Sequence, residues 1–292
     1  MHAHGVVNSK TDHAPTGDDL LTEDDNLSEG DRLLVEVVEA DDLSTEDDVV
    51  RNADVDWDQW PVEQYLAEIY AELHPIDAAV IDHHSAYYAT LAPGSVARSL
   101  EFGAGPNLYP LMLAAGCSTW IDALEPSAAN LAYLRRQLST GADDHWTAFY
   151  ARCRQGNPSL PASLDSALSA VHVVPGSGLD LAEERYDLAS MHFVAESVTE
   201  SGAEFAALCR AFIRSVRPGG HLVAGFMEKM PSYSLGQGPQ WPGFPVDSDQ
   251  IRQVFAPLTD ELVIDRIDSD PTLPDYGDSG IVVLTARRAG DR

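Results

Sequence analysis

Residues 99–107 read SLEFGAGPN, and this stretch decides the fold prediction. A strand-like run at 96–102 ends beside two glycines that are separated by one residue, and an apolar helix pattern begins at Leu108. Glycine permits a tight turn and lets a ligand approach the backbone with no Cβ in the way. A lone GxG is a weak signal, so the turn gains weight only from the pattern around it.

Outward from this turn, strand-like and helix-like patterns alternate along the chain. Further strands are predicted at 119–124, 146–151, 171–174, 186–193 and 221–226. Helices are predicted at 108–115, 128–138, 203–216 and 248–255. This alternation predicts a parallel sheet with helices on both faces. The last strands, 262–267 and 280–286, are separated only by a loop and must pair antiparallel, so one of them is expected to insert into the sheet.

The chain ahead of the glycine turn falls into two parts. The first 56 residues contain seventeen acidic residues, three Lys or Arg and no aromatic residue. Such a composition leaves no apolar face to bury, so residues 1–55 are predicted to be a disordered acidic extension. From Trp57 onward, apolar and aromatic residues recur at helical spacing with a break near Pro75. Residues 56–92 are therefore predicted to form a helical segment, and residues 93–292 the α/β core.

The composition excludes several classes of function. The 47 acidic residues outnumber 18 Lys and Arg, and a net charge of −29 leaves no basic face for a phosphate backbone, so nucleic acid is not expected as a partner. No apolar run approaches the length of a membrane span, and the N-terminus has no secretory signal pattern. The scattered cysteines Cys117, Cys153 and Cys209 favour a reducing, cytoplasmic location. The oligomeric state is left open.

An acidic residue, Glu125, ends the second predicted strand. In nucleoside-binding sheets an acid at this place accepts hydrogen bonds from ribose hydroxyls, although it could instead cap the following helix. Leu108 stands at the third glycine position of GxGxxG, which disfavours a nicotinamide-dependent oxidoreductase. No Lys with Ser or Thr follows Gly105 in P-loop spacing, which argues against a nucleoside triphosphate.

Four stretches resemble one protein family: SLEFGAGPNLYPL, DALEPSAANLAYLRRQL, YDLASMHFVAES and ALCRAFIRSVRPGGHLVAGFMEKMPSY. Over roughly residues 60–287 the chain resembles class I S-adenosylmethionine-dependent methyltransferases. The pattern is most similar to the small-molecule group of nicotinamide, phenylethanolamine and thioether or indolethylamine methyltransferases, and to actinobacterial relatives. The resemblance implies a seven-stranded, mostly parallel Rossmann-like sheet with an antiparallel last strand, a helical lid over 56–92, and S-adenosylmethionine as cofactor.

The resemblance also implies roles for individual residues. The cofactor-binding residues that it implies are Tyr65, Tyr70, Glu101, Gly103, Gly105, Asn107, Tyr109, Glu125, Asn130, His172 and Val173. The first two belong to the lid, and the residues from Glu101 to Asn107 match the loop that holds the methionine part. His172 stands where the family has an acidic residue, so contact with adenine is expected to rest on backbone groups and Val173.

The acceptor site is expected beyond the fourth strand. Glu196 is the first candidate for orienting an amine or taking a proton, and His192 is the second. The alternatives are an acid that caps a turn and a histidine that fills the end of a strand. The substrate-binding candidates are Phe193, Phe226, Glu228, Tyr233 and Trp241. Phe226 replaces an acid of the nicotinamide-type enzymes, which implies a more apolar acceptor.

These observations together predict transfer of the methyl group of S-adenosylmethionine to a small molecule. Nitrogen is the first expected acceptor atom, and specialised metabolism is the expected setting. Methylation at oxygen or carbon, and a catalytically inactive protein that binds the cofactor and serves a partner, are the alternatives. Displacement at a sulfonium needs alignment and exclusion of water more than acid–base help. No group of His, Cys or acidic residues has metal-ligand spacing, so no metal is expected.

Overall fold

The computed structural model describes residues 49–290, apart from residues 272 and 274. Residues 1–48, on which most of the predicted acidic extension falls, lie outside the described residues. Within the part that is described, no helix is both long enough and apolar enough to cross a bilayer.

A seven-stranded sheet forms the centre of the described chain. Its strands are β1 (Ser99–Phe102), β2 (Ile121–Glu125), β3 (Val171–Pro175), β4 (Tyr186–His192), β5 (Val216–Glu228), β8 (Thr259–Asp268) and β9 (Gly280–Arg288). The strand order is β3-β2-β1-β4-β5-β9-β8. The strands β1 to β5 pair in parallel, and β9 pairs antiparallel with both of its neighbours. This confirms the predicted α/β sheet, in which an antiparallel last strand inserts.

Helices cover both faces of this sheet. They are α1 (Val62–Ile69), α2 (Pro75–Tyr88), α3 (Tyr109–Ala114), α4 (Ala128–Thr140), α5 (Trp146–Gly156), α6 (Leu164–Leu168), α7 (Gly202–Ser215) and α8 (Ser248–Phe255). A small hairpin, β6 (Tyr233–Ser234) with β7 (Gln240–Trp241), lies outside the main sheet. The predicted break between the first two helices is confirmed, because α1 ends at Ile69 and Pro75 opens α2.

The core consists of two apolar clusters, one on each face of the sheet. Side chains of α1 to α6 form one cluster, and side chains of α7 and α8 form the other. Successive residues of a strand point to opposite faces. On β9, accordingly, Val283 joins the first cluster while Val282 and Leu284 join the second. The helices α1 and α2, which the sequence analysis predicts to be a lid, therefore share a core with the sheet instead of resting on its surface.

The stretch 146–151, predicted as a strand, is a helix. Four residues of α5 are buried: Trp146, Phe149, Tyr150 and Cys153. Their spacing is that of one helical face, and it outweighs the strand preference of the aromatic residues. The sequence prediction was wrong here because it followed residue type instead of period.

The segment just before α1 is tied to the core at two places. Val50 N–H donates to Glu200 Oε2 at 3.1 Å, and Asn52 N–H donates to Glu204 Oε2 at 2.9 Å. Residues 49–55, which the sequence analysis assigns to the acidic extension, thus bond to the start of α7. The chain then enters two short 3-10 turns, Asn52–Asp54 and Trp57–Gln59.

Phe226, a predicted substrate contact, lies in the core. Its side chain on β5 is 0% exposed, and its ring centroid lies 6.0 Å from those of Phe205 and Phe255. The next residue, Met227, packs against the cluster on the lid side. Since alternate strand residues face opposite sides, Phe226 points away from the lid, and the structure contradicts its predicted role.

Replacing Phe226 by alanine is expected to destabilise the fold by about 3–5 kcal/mol, because it empties a fully buried ring site. Urea denaturation measures this change. The half-exposed Val263→Ala on β8 is the control and is expected to change stability by roughly 0.5 kcal/mol or less. If the Phe226→Ala protein were as stable as the wild type, the burial of Phe226 in the core would be contradicted.

Candidate active site

The glycine turn closes the carboxyl end of β1. Gly103 and Gly105 have φ of +67° and +52°, a region that favours glycine. A Cβ on Gly103 would lie 2.6 Å from Val194 Cγ1, so a side chain is excluded there by packing. A Cβ on Gly105 would meet nothing nearer than the Gly103 carbonyl oxygen at 4.0 Å. The backbone of Gly105 is therefore open to a ligand.

Glu125 joins the end of β2 to this turn. Its Oε2 accepts a hydrogen bond from Gly105 N–H at 2.8 Å, and its Oε1 accepts from Ser127 N–H at 2.8 Å and from Asn130 Nδ2 at 3.2 Å. Burial raises the pKa of Glu125, and these hydrogen bonds oppose that rise. Among the described residues Oε2 has one partner, so it can still accept hydrogen bonds from a ligand.

The first lid turn lies directly against this acid. Ser127 Oγ donates to the Trp57 carbonyl at 3.0 Å, and Ala128 N–H donates to Asp58 Oδ1 at 2.6 Å. These two bonds bring Trp57 to the start of α4, beside Glu125. The start of the lid and the tip of β2 are thereby held together by polar contacts.

A cleft of about 140 Å³ opens where β1, β2 and β4 end. The chain reverses its direction of travel through the sheet between β1 and β4, and such a switch point is where α/β sheets bind ligands. The glycine turn, Glu125 and Asn130 lie on one side of the cleft. Trp57, Trp60 and Tyr65 of the lid also line it.

The structure contradicts the predicted adenine contacts His172 and Val173. They pair with Asp122 and Ala123 inside the sheet, before β3 ends, and His172 stacks on Trp120 with ring centroids 3.4 Å apart. Neither lines the cleft. The residues of this part of the chain that reach the cleft come just after β3.

Gly176, Ser177 and Gly178, which follow β3, line the cleft in place of His172 and Val173. A Cβ on Gly178 would lie 2.0 Å from the Phe102 ring, so only glycine fits there. Sequence reasoning missed this loop. The signal was present as two glycines just beyond the third strand, the same pattern that marks the turn after β1.

His192 belongs to a buried polar chain. Its Nδ1 lies 3.1 Å from Glu101 Oε1, and its Nε2 lies 3.0 Å from His84 Nδ1. Glu101 also accepts a hydrogen bond from Ser190. His192 lines the cleft, and both of its ring nitrogens are held by protein groups, so neither nitrogen is free to take a proton in this arrangement. His192 instead fixes Glu101 below the glycine turn.

The lid tyrosines meet the far end of the glycine turn. Asn107 Nδ2 donates to Tyr70 Oη at 3.0 Å, and Tyr65 Oη donates to Tyr70 Oη at 3.4 Å. Tyr109 opens α3, and its N–H donates to Asn107 Oδ1 at 3.2 Å. The structure therefore brings together four of the residues that the resemblance implies as cofactor-binding, Tyr65, Tyr70, Asn107 and Tyr109.

Glu196 is fully buried in the segment after β4. Its Oε1 accepts a hydrogen bond from Met227 N–H at 2.8 Å, and its Oε2 has no partner among the described residues. Burial raises the pKa of Glu196 to about 8. Glu196 does not itself line the cleft, whereas the next residue in the chain, Ser197, does.

Aromatic rings pack together at the cleft, which Trp57, Trp60 and Tyr233 line. Trp60 lies 4.8 Å from Trp241 and 6.1 Å from Tyr233 between ring centroids, and Trp57 stacks on Trp241 at 5.4 Å. Phe193 lines the cleft with φ of +59°, an uncommon conformation for a residue with a side chain. We call Trp57, Trp60, Tyr233 and Trp241 the aromatic roof.

Glu228, a predicted substrate contact, is held elsewhere. Its Oε2 accepts hydrogen bonds from Arg266 Nε and Ser279 Oγ, both at 2.6 Å. It does not line the cleft. The carboxylate therefore ties β5 to β8, and the structure contradicts its predicted role.

A larger groove of about 880 Å³ lies on the outer side of the lid, between α1 and α4. Four alanines line it, together with Tyr133 and Arg136. It shares only Trp60 with the cleft and reaches none of the strand ends. Among residues 49–290, moreover, no group of three or more His, Cys or acidic side chains could hold a metal ion. The candidate site is therefore the smaller cleft.

Solved structures with a similar fold are known, whereas the sequence matches no family profile and no curated protein. DhpI, solved as a complex with SAH, has a TM-score of 0.50 and 14% identity, covering 79% of this chain and 92% of its own. N-methyltransferase NodS from Bradyrhizobium japonicum WM9, in complex with S-adenosyl-L-homocysteine, has a TM-score of 0.48 and 13% identity, covering 78% and 97%. An S-adenosylmethionine-dependent methyltransferase from Mesorhizobium loti has a TM-score of 0.44 and 13% identity, covering 71% and 98%. At such identities the likeness to DhpI shows the fold alone, and that fold is the Rossmann-like methyltransferase fold.

Glu196→Gln is expected to make stability less dependent on pH. The folded protein holds the Glu196 proton up to about pH 8, while the unfolded chain releases it near its ordinary value of 4.5. Wild-type stability therefore falls as pH rises between these values, and the glutamine variant lacks this loss.

Urea denaturation across this pH range measures the difference. The variant should match the wild type at about pH 5 and gain roughly 1–3 kcal/mol over it by about pH 8. The exposed Glu183→Gln is the matched control and should show no such trend. A difference between wild type and Glu196→Gln that stays constant with pH would contradict the assignment.

Proposed function

We propose that this protein transfers the methyl group of S-adenosylmethionine to a small-molecule acceptor, with nitrogen as the receiving atom. The observation that carries the proposal is the joint placement of the open Gly105 backbone and the buried Glu125 carboxylate, 2.8 Å apart at the switch point of the sheet. An acid and a glycine turn so placed can bind a ribose and leave room for the rest of a nucleoside.

The residues present fit this cofactor. Among the described residues that line the cleft, Asn130 carries a buried polar atom, Oδ1, without a hydrogen-bond partner. Buried polar atoms are costly unless they are hydrogen-bonded, so their presence beside an open turn supports a polar ligand. DhpI, which has this fold, was solved with SAH, and this supports the same class of ligand here.

Binding and alignment are the main work expected of the side chains. Glu125 and Asn130 would hold the ribose, the loop Gly176–Gly178 the base, and Asn107 with Tyr70 the amino-acid end; these assignments are part of the proposal. When bound, S-adenosylmethionine supplies an activated methyl group. The aromatic roof excludes water from the space above the cleft, which favours attack by a bound acceptor over side reactions.

Glu196 is the group proposed to act on the acceptor. Its Oε2 is buried and has no partner among the described residues, and the next residue in the chain, Ser197, lines the cleft. A carboxyl with a pKa of about 8 can accept a proton from an amine that carries one, or bind the amine through a hydrogen bond. One carboxyl set among aromatic rings supports an apolar amine as the acceptor.

Binding of S-adenosyl-L-homocysteine, measured by calorimetry, tests the cofactor proposal. The wild type is expected to bind it, and Glu125→Gln should weaken binding roughly 10- to 100-fold, because a charged hydrogen-bond acceptor for the ribose is lost. The exposed Glu183→Gln should bind as the wild type does. Tight binding of NADH with no binding of S-adenosyl-L-homocysteine would refute the proposal.

A panel of acceptors tests the receiving atom. The wild type with S-adenosylmethionine is expected to form S-adenosyl-L-homocysteine fastest with apolar primary or secondary amines, because the proposed acceptor site pairs one carboxyl with aromatic walls. Mass spectrometry of the products identifies the methylated atom. Turnover only with phenols or carbon acids in the same panel would contradict nitrogen while leaving methyl transfer intact.

A further inference from the structure

Four aromatic rings meet at the cleft. They belong to Trp57, Trp60, Tyr65 and Tyr233, which all line the cleft and are each half-buried. The ring centroid of Trp60 lies 5.9 Å from that of Trp57, 5.4 Å from that of Tyr65 and 6.1 Å from that of Tyr233. The corresponding ring planes cross at 51°, 59° and 71°, so the rings stand at angles to one another instead of forming a stack. We call these four residues the aromatic cage.

Contacts within the protein hold the rings of the cage in place. Trp57 Nε1 donates to Asn52 Oδ1 at 2.8 Å, and Tyr233 Oη donates to the Ser197 carbonyl at 3.4 Å. Trp241 is buried, does not line the cleft, and stacks on Trp57 with ring centroids 5.4 Å apart. The cage is therefore preorganised, and a ligand need not order it.

Other aromatic rings of the described chain carry an arginine over their faces. The guanidinium carbon of Arg98 lies 5.8 Å from the ring centroid of Trp120, and that of Arg136 lies 5.2 Å from the ring centroid of Tyr133. Among the described residues, no Lys or Arg lies over a ring of the cage or lines the cleft. Because an aromatic face attracts a cation, the cage can accept one from a ligand.

The charges around the cage also favour a positive ligand. The chain has a net charge of −29, and Glu125 is a carboxylate that lines the same cleft. Ser197, whose carbonyl bonds to Tyr233, directly follows Glu196 in the chain. A bare ammonium group is costly to remove from water, whereas an alkylated ammonium carries its charge beneath an apolar surface that suits aromatic walls. The site therefore favours an alkylated ammonium ion.

Methyl transfer to an amine produces such an ion. The nitrogen lone pair forms a bond to the methyl carbon, the bond from that carbon to sulfur breaks with its electron pair passing to sulfur, and the positive charge moves to nitrogen. We propose that the aromatic cage binds the N-methylated ammonium ion formed on the acceptor. This inference rests on the proposed function and adds Trp57 and Trp60 as binding residues.

Three small probes test the cage by calorimetry at neutral pH and constant ionic strength. Choline carries a trimethylated ammonium, ethanolamine carries the same charge without methyl groups, and 3,3-dimethylbutan-1-ol has the shape of choline without its charge. The wild type is expected to bind choline roughly tenfold more tightly than either of the others, because the cage rewards a charge inside an apolar shell.

Each competing explanation has its own result in this comparison. Equal affinity for choline and ethanolamine would mean attraction by net charge alone, and equal affinity for choline and the uncharged alcohol would mean an apolar pocket. Either result, or no binding of choline, would overturn the inference. The comparison uses the wild type and so does not depend on the folding of a variant.

Variants of Trp60 locate the binding site. Trp60→Leu should bring the three probes within about twofold of one another, whereas Trp60→Phe, which keeps a ring, should retain part of the preference for choline. Trp120→Leu is the matched control, because its half-exposed indole lies outside the cleft, and it should behave as the wild type. A preference for choline that survives unchanged in Trp60→Leu would contradict the assignment.

Titration of the same samples with S-adenosyl-L-homocysteine separates this inference from the proposed function. If the wild type binds S-adenosyl-L-homocysteine but shows no preference for choline, the inference fails while the cofactor proposal stands. If it prefers choline but does not bind S-adenosyl-L-homocysteine, the proposed function fails, and the assignment of the bound ion as a methylation product fails with it.

Discussion

The hydrogen bond from Gly105 N–H to Glu125 Oε2 is the contact on which the proposed site depends. It joins the turn after β1 to the tip of β2, two elements that the sheet brings side by side. Glu125 is fixed by Ser127 and Asn130 as well, so the acid cannot turn away from the cleft. The positive φ of Gly105 keeps the remaining face of the turn free of side chains. A ligand therefore meets an acceptor and an open backbone at fixed positions.

Around this contact the chain buries acids that lack a basic partner among the described residues. Glu196 and Asp77 each have a raised pKa and an oxygen without a hydrogen-bond partner. Glu101 differs, because His192 and Ser190 bond to both of its oxygens. Buried polar groups that structure alone does not satisfy are typical of functional sites, since preorganised groups cost stability until a ligand arrives. Of these unpartnered acids, Glu196 is the one that we assign to the acceptor.

The local sequence pattern was enough to predict where the glycine turn and the acid of the candidate site lie. The glycine turn and Glu125 stand at the ends of successive strands, and parallel strands bring their carboxyl ends to one edge. Long-range packing decided the rest. Which face of β5 Phe226 occupies depends on register with β9, and one partner of His192, His84 on α2, comes from more than a hundred residues earlier in the chain. Neither fact can be derived from local spacing.

Some signals were present in the sequence and were not used. Asp77 shares its helical face with Ile81, His84 and Tyr88, all of them buried, and an acid on an apolar face indicates a special role. The two glycines after β3 repeat the pattern seen after β1. The misassigned strand at 146–151 would have been recognised as a helix by its period of three and four residues.

A crystal structure with S-adenosyl-L-homocysteine tests the central claim most directly. The account predicts the ribose hydroxyls within hydrogen-bond distance of Glu125, the adenine beside residues 176–178, and the amino-acid end at Asn107 and Tyr70. Ligand bound in the groove outside the lid, or a cleft that stays filled by the rings of the aromatic roof while the ligand is absent from it, would contradict the account.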